Sequence, residues 1–490
     1  MSKVLPLRHL YLAIPRHLLV RPPYQPPQPL IHSDPTQPML AFLVPLSLSP
    51  LPPLPTPRAA PRPPRRLIPQ ATAVTPSTSP APSPAAPLFN WYDQWYPLAP
   101  LSDLCPTPTR IVLLSTPLVV WRAAAAWSVF HDRCPHRLAA LSEGRLAEDG
   151  TLECAYHGWR FSPSGACARI PQLGPVRSPR ACAKALPVLE RGGLLFVWMG
   201  ARAPRVDETP HSLEGDARAR FVHSCFQRTL PLCFSTLLQN VLDPAHIHFA
   251  HHGFLGDRAQ AAPIPIRVLS SSAAGFTADY DAGNVRLRFL PPCLVEIVTS
   301  TGQSFLYYAV PVRAGLVRTI AIRASARRVL FRAPAWADHM RRNLLLEQDL
   351  QLMRTQQEAM RTDAESEGRR DYSRAWGAYQ MPASADRLVV EMRRWLENHA
   401  PEGEEWFAFG EGEVEEAGMR MEGHVKTCAV CARALKSLDA ATVAAKGVAA
   451  GAAVVSVLAP EHAQRVACLV PTVIAAAVWA ACARLRRGFE

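Results

Sequence analysis

The sequence predicts an α+β protein. A small all-β unit precedes a mixed unit of strands and helices, with a non-globular segment before them and a pair of membrane-spanning helices after them. Three observations predict it. Prolines crowd one end of the chain, short evenly spaced β-type runs give way to longer strands and one long helix in the middle, and two apolar stretches close the other end.

Of the 49 prolines in 490 residues, 24 fall in residues 1–88, which contain no Gly and no Cys. Proline fixes φ and lacks an N–H, so this stretch builds neither helix nor sheet interiors and roughly 400 residues remain to fold. Lys3, Arg8, Arg16, Arg21, Arg58, Arg62, Arg65 and Arg66 face only Asp34 there, so more than half of the net charge of +13 sits in this segment. Arg-rich and acid-poor is the profile of an organelle transit peptide. The alternatives are a low-complexity tail, or an upstream extension before a start at Met39. The rest carries no basic run interleaved with aromatics, which argues against nucleic acid as a partner. At 48% hydrophobic the chain builds a sizeable core, excluding disordered, collagenous and small disulfide-rich classes.

Folded sequence begins with the aromatic run Leu88–Leu101. The runs Arg110–Leu114, Leu118–Trp121, Trp127–Asp132, Leu152–Ala155 and Gly193–Met199 then predict a small all-β unit over 89–204. Residues 205–220 read as a linker opening a mixed unit over 205–400. That unit holds an apolar helix around Phe234–His252, strands Val285–Phe289, Val295–Ser300, Ser304–Val310 and Val317–Ala324, and a long helix Trp336–Arg361. Residues 401–437 form a second linker, and 438–490 the hairpin and a basic tail. Leu438–Ala459 and Val466–Ala483 are each close to the about 20 apolar residues that span a bilayer. Arg484, Arg486 and Arg487 follow at once, which keeps that end on the side of the folded units. The alternative is a helical hairpin buried in a soluble core.

Cys134-Pro-His136, separated by 17 residues from Cys154-Ala-Tyr-His157, is a Cys-x-His…Cys-x2-His array. Two thiolates on one iron and two imidazoles on the other hold a Rieske [2Fe–2S] cluster, and the neutral imidazoles raise its potential. A Cys2His2 zinc site uses the same ligand types, but the zinc-finger spacing is absent while Pro135 and Gly158-Trp159 suit tight cluster loops. Downstream, Asn240–His252 crowds Asp243, His246, His248, His251 and His252 onto one apolar segment. Non-haem Fe(II) that activates O2 takes two His and one carboxylate, leaving positions open. Asp243-Pro244 reads as a helix N-cap and first-turn pair. His246 and His251 lie about 140° apart on a regular helix, so that pair calls for a π-type widening. His248 and His252 are the geometrically easier rivals. Asp349 is the expected third ligand, an acid in an otherwise apolar and Gln-rich helix, with Glu347 and Asp338 as competitors on solvated faces.

These motifs resemble the Rieske non-haem iron oxygenases. The resemblance assigns the iron to His246 and His251, sets His248 and His252 aside, makes Asp243 the electron relay, and matches the late carboxylate ligand to Asp349. Asn90–Pro97, Asp132–Gly144, Tyr156–Phe161, Ile170–Gln172, Asp243–Gly253 and Asp386–Leu396 resemble, more narrowly, the pheophorbide a oxygenase branch. That branch includes protochlorophyllide-oxidising and translocon-associated phyllobilin-hydroxylating members. Gln239 departs from it, since relatives usually carry Glu before the Asn.

The resemblance implies a helix-grip catalytic domain and a head-to-tail homotrimer, in which His157 of one subunit meets Asp243 of the next. It further implies a ferredoxin donor docking near Arg133, Arg137 and Arg160, and a chlorophyll-derived tetrapyrrole as substrate, with ring opening of pheophorbide a the leading reaction. The implied location is a chloroplast membrane, inner envelope or thylakoid, with the catalytic units facing the stroma. The competing function is a redox-sensing subunit of an import translocon whose iron site is vestigial. Cys428-Ala-Val-Cys431, preceded by His424, has three readings. By resemblance it is a regulatory dithiol reduced by thioredoxin; by its residues it is half of a zinc site or an inert pair.

Overall fold

The computed structural model describes residues 89–490 other than 124–125, 174–177, 215, 217–218, 220, 329–332, 367–378, 402–403, 409–418 and 461. The expected transit peptide and part of the second linker lie outside the described residues.

The first half is β-structure. Its strands are β1 (Trp95–Pro100), β2 (Thr109–Leu113), β3 (Thr116–Ala123), β4 (Ala126–His131), β5 (Arg145–Leu146), β6 (Leu152–Glu153), β7 (Arg160–Phe161), β8 (Cys167–Arg169), β9 (Ala185–Leu186), β10 (Val188–Arg191) and β11 (Leu194–Trp198). They form three antiparallel sheets, in the orders β1-β11-β10, β2-β3-β4-β9 and β5-β6-β7-β8. Cys134 and His136 lie between β4 and β5, Cys154 and His157 between β6 and β7. Beneath both loops a small core of Trp121, Phe130, Leu141, Leu152 and Phe161 is fully buried.

The second half is a seven-stranded sheet in the order β12-β18-β17-β16-β15-β14-β13, antiparallel at every pairing. The strands are β12 (Phe221–Leu230), β13 (Arg267–Ser272), β14 (Gly275–Tyr280), β15 (Val285–Leu290), β16 (Leu294–Thr299), β17 (Gln303–Arg313) and β18 (Leu316–Ser325). Its helices are α1 (Phe234–Val241), α2 (Ile247–Ala250), α3 (Ala335–Ser366) and α4 (Arg387–His399). At 32 residues α3 extends about 48 Å. The stripe it buries contains His339, Asn343, Asp349, Met353, Met360 and Ala364, half of them polar. A polar stripe buried against a sheet is costly unless each member has a partner, so this face of α3 is where function is to be sought.

The segment Phe234–His252, expected as one helix, is two. Proline disfavours helical geometry in the residue before it, and the chain breaks at Asp243-Pro244. The Asp243 carboxylate accepts from the Ala245 N–H at 2.7 Å in the turn before α2, whose N-cap is His246 rather than the expected Asp243, because the chain needs three more residues to turn into the helix. The expected π-type widening between His246 and His251 is absent. Instead α2 ends, and His251 leaves helical geometry at φ −107°, ψ 26°.

One apolar core runs through both halves. Phe89 and Trp91 leave the β-unit to pack edge-to-face on Trp395 of α4, and Trp91 also meets Phe234 and Trp406. A partly buried ion pair ties α3 to the sheet: Arg228 of β12, 1% exposed, donates to Glu347 at 2.9 Å, and Arg420 donates to the same carboxylate. Glu347, expected on a solvated face, is about a third exposed and holds two guanidinium groups.

Two helices end the chain, α5 (Ala429–Leu458) and α6 (His462–Arg486), both long and apolar enough to cross a membrane and mostly exposed. Asp103 accepts from the Ala429 N–H at 2.9 Å and thereby caps the first turn of α5. Beyond α6 the chain returns to the body, where Phe489 is buried against Val425, Cys428 and Cys431.

Glu347→Ala strands two largely buried arginines. It should cost about 3–5 kcal/mol, read as a lower denaturation midpoint, and should lower the iron retained at the site that Asp349 of the same helix completes.

Candidate metal centres

The first centre is built from two turns of the same design. Cys134 and Cys154 N–H groups donate to the carbonyls of Ala139 and Trp159, each at 2.8 Å, and their own carbonyls accept from Leu138 and Gly158. The fifth residue of each turn takes the left-handed conformation, Leu138 at φ 62° and Gly158 at φ 70°. For a leucine that conformation costs about 1–2 kcal/mol, a strain retained where the turn presents ligands. The result sets the thiols inward, both nearly inaccessible, and the rings of His136 and His157 4.5 Å apart. His136 stacks on Trp159 at 4.6 Å.

His136 Nδ1 is buried and has no hydrogen-bond partner. An orphaned imidazole nitrogen beside two buried thiols fits a metal ligand. Burial pushes the Cys134 thiol up to about 12, with the neighbouring Cys154 adding to it, a penalty that ferric charge would offset. Among the described residues, two groups of ligating side chains bring all their ligand atoms within 4.8 Å of one another.

His246, His251 and Asp349 form one of those groups. Asp349 Oδ2 lies 3.2 Å from His251 Nε2 and 3.9 Å from His246 Nε2. The other ring nitrogens are turned outward and held: His246 Nδ1–H donates to the Asp243 carbonyl at 2.5 Å, His251 Nδ1–H to Gln348 Oε1 at 2.8 Å. Both rings are thereby fixed in the tautomer that leaves Nε2 free to ligate. Burial raises the Asp349 pKa, while the two histidines and Asn240 pull it down. Two imidazoles and one carboxylate converging on a point fit non-haem iron with open positions. They border a cavity of about 200 Å³ lined by Leu237, Leu287, Ile297 and Tyr307 among others.

The rival residues are engaged elsewhere. His248 Nδ1 accepts from the Asp257 N–H at 3.4 Å and His252 Nδ1 from the Arg258 N–H at 3.2 Å, both in the loop after α2. Asp338 binds Ser224 and Arg342. Gln239 is buried and donates to the Ser235 carbonyl within α1. Of the three arginines expected to meet a donor, Arg133 and Arg137 are exposed, whereas Arg160 is held by Glu153 at 2.6 Å. Sequence reasoning missed Gln348, whose only signal is its place beside Asp349. It also missed His339, which joins His424, Cys428 and Cys431 in the second tight group.

A strand-loop cluster unit on a seven-stranded sheet carrying a two-histidine, one-carboxylate site defines a Rieske-type non-haem iron oxygenase, an enzyme with a [2Fe–2S] cluster and a mononuclear iron. The Rieske [2Fe-2S] domain family model matches residues 94–180, and the pheophorbide a oxygenase family model matches residues 289–367. Pheophorbide a oxygenase of Oryza sativa subsp. japonica is 35% identical over 72% of this chain and 75% of its own length. The Arabidopsis thaliana enzyme of the same name is 35% identical over 65% and 66%, and Protein TIC 55 of Arabidopsis thaliana 30% over 63% and 60%. The chain belongs to the pheophorbide a oxygenase family of Rieske oxygenases.

Gln348→Leu removes the partner of His251 Nδ1. Iron affinity at this site should fall about 10–100-fold, measured by iron retention against a graded chelator, while the visible spectrum of the [2Fe–2S] cluster is unchanged.

Proposed function

We propose that this chain is a membrane-anchored chloroplast oxygenase that opens the macrocycle of pheophorbide a, using O2 and electrons from ferredoxin. The convergence of His246, His251 and Asp349 beside an apolar cavity is the observation that carries this reading. An electron carrier or redox sensor needs no such site, which weighs against an import subunit with a vestigial iron centre. The chloroplastic relatives named pheophorbide a oxygenase support the substrate class.

We assign Cys134, His136, Cys154 and His157 to the cluster and His246, His251 and Asp349 to the iron. Bound there, the cluster supplies single electrons and the iron activates O2. The chain's own residues do the rest. His246 and His251, locked by Asp243 and Gln348, present Nε2 on one side and leave the cavity side open. Leu237, Leu287 and Ile297 exclude water and offer an apolar wall to a flat macrocycle. The cavity is smaller than the about 300–1,000 Å³ of ordinary ligand pockets, so the tetrapyrrole presents one edge to the iron.

Asp243 is the relay. Its carboxylate is about a third exposed and Oδ2 lies 3.9 Å from His246 Nδ1, while His157 is partly exposed beside the solvent-facing Tyr156. Two groups that are both partly open suit a meeting across a subunit interface, in a head-to-tail trimer. The exposed Arg133 and Arg137 beside the cluster turns attract an acidic donor. The apolar, exposed helices α5 and α6, followed by Arg484, Arg486 and Arg487, suit a hairpin in the inner envelope or thylakoid membrane with its charged end on the stromal face.

The test is incubation of the purified chain, with both iron centres loaded, with reduced ferredoxin, ¹⁸O2 and pheophorbide a, protochlorophyllide a or a phyllobilin. Label in an opened product of pheophorbide a is expected. Label only in a hydroxylated phyllobilin or protochlorophyllide a moves the assignment to hydroxylation, and label in none overturns an oxygenase of tetrapyrroles. Asp243→Asn should retain both metals and lose turnover at least 100-fold; substantial activity in that variant removes the relay role.

A further inference from the structure

The second tight group of ligating side chains plays no part in the oxygenase chemistry, and its members come from three separate segments. His339 lies near the start of α3, His424 in a single turn of π-helix (Met421–Val425), Cys428 just before α5 and Cys431 in its first turn. All four are buried: His424 is wholly inaccessible, the cysteines are each 1% exposed and His339 is 4% exposed.

Their ligand atoms lie within 4.8 Å of one another. Cys428 Sγ is 3.4 Å and Cys431 Sγ 3.5 Å from His339 Nδ1, and Cys431 Sγ is 3.2 Å from His424 Nε2. Ligands around zinc sit at about 2.3 Å for sulfur and about 2.0–2.1 Å for nitrogen. A tetrahedron with those radii has sulfur–nitrogen edges of about 3.5 Å, which is the spacing found. The orientation is also prepared. His424 Nδ1–H donates to the Gln227 carbonyl at 2.5 Å, so the imidazole is held in the tautomer that turns the Nε2 lone pair toward the cysteines. Single π-turns are uncommon and concentrate at functional positions; this one delivers His424.

We propose that His339, His424, Cys428 and Cys431 bind a structural zinc ion that staples the base of the C-terminal helical hairpin to the catalytic sheet. Thiolates and imidazoles select zinc over hard cations, and four protein ligands leave no open position for substrate. Phe489, beyond the far end of α6, packs on the cysteines, and Trp336 and Met340 from α3 close the same cluster. Both ends of the hairpin therefore meet the body here. Asp349 lies ten residues further along α3, about 15 Å away by helical rise, so one helix would carry a ligand of each centre. A regulatory dithiol is the competing use of Cys428 and Cys431, but attack by a thiolate requires an accessible sulfur and neither is.

The experiment is metal analysis and zinc X-ray absorption on the full-length chain, purified without added zinc and with both iron centres loaded. About one zinc per chain in addition to iron is expected, with two sulfur neighbours at about 2.3 Å and two nitrogen neighbours at about 2.0 Å. Zinc misplaced in the cluster turns would have the same neighbours, so paired variants separate the sites. Cys428→Ser with Cys431→Ser should lose zinc and keep the cluster spectrum, and Cys134→Ser with Cys154→Ser should do the reverse. Zinc retained by the first pair overturns the proposal. So does iron-replete wild-type chain without zinc, whether Cys428 and Cys431 are then alkylated as free thiols or recovered as a disulfide. Should the first pair fail to fold, the wild-type stoichiometry and neighbour set decide the question alone.

Discussion

The meeting of Asp349 with His246 and His251 is the constraint around which the catalytic half is organised. The partners are about a hundred residues apart in the chain, and α3 meets the segment around α2 directly through the His251–Gln348 hydrogen bond. For their atoms to come within 4 Å, α3 must lie in one register against β12, and α1 must stop where Asp243-Pro244 turns the chain. The first condition is met by Arg228 and Glu347, whose geometry sets both the translation and the rotation of α3. The second is met by the Asp243 side chain, which accepts the Ala245 N–H. Asp243 thus shapes the backbone with one oxygen and its carbonyl orients His246. A residue with structural duties of this kind is already rigid, which favours a relay.

The two halves are joined by packing. Trp91 sits in the same aromatic group as Trp395 and Trp406, so the cluster unit and the catalytic sheet share a core. Asp103, from the turn after β1, reaches across to cap α5 and also accepts from Gln227 of β12. Burial raises its pKa to about 6. The hairpin is consequently tied to the body at its base while its length stays exposed.

What was legible in the sequence follows from how local each feature is. The cluster ligands lie in two short motifs whose turn geometry is dictated within six residues, so their spacing together with Pro135 and Gly158-Trp159 pointed to them. His246 and His251 were ambiguous with His248 and His252, because a periodicity argument assumes a continuous helix and this segment is broken. Asp349 was visible as an acid among apolar neighbours, but Glu347 was misjudged, since its partners Arg228 and Arg420 are remote in sequence. His339 was invisible: it sits on a helix with no apolar stripe to mark its buried face, 85 residues before His424.

The central claim is that Asp349 completes an iron site to which the cluster delivers its electrons. The most direct measurement is a single turnover of chain reduced in advance at both centres, mixed with O2 and pheophorbide a. The reduced cluster is followed by its paramagnetic signal. This signal should disappear rapidly in the wild-type chain and at least 100-fold more slowly in Asp349→Ala with the cluster intact. Equal rates in the two proteins would contradict the central claim.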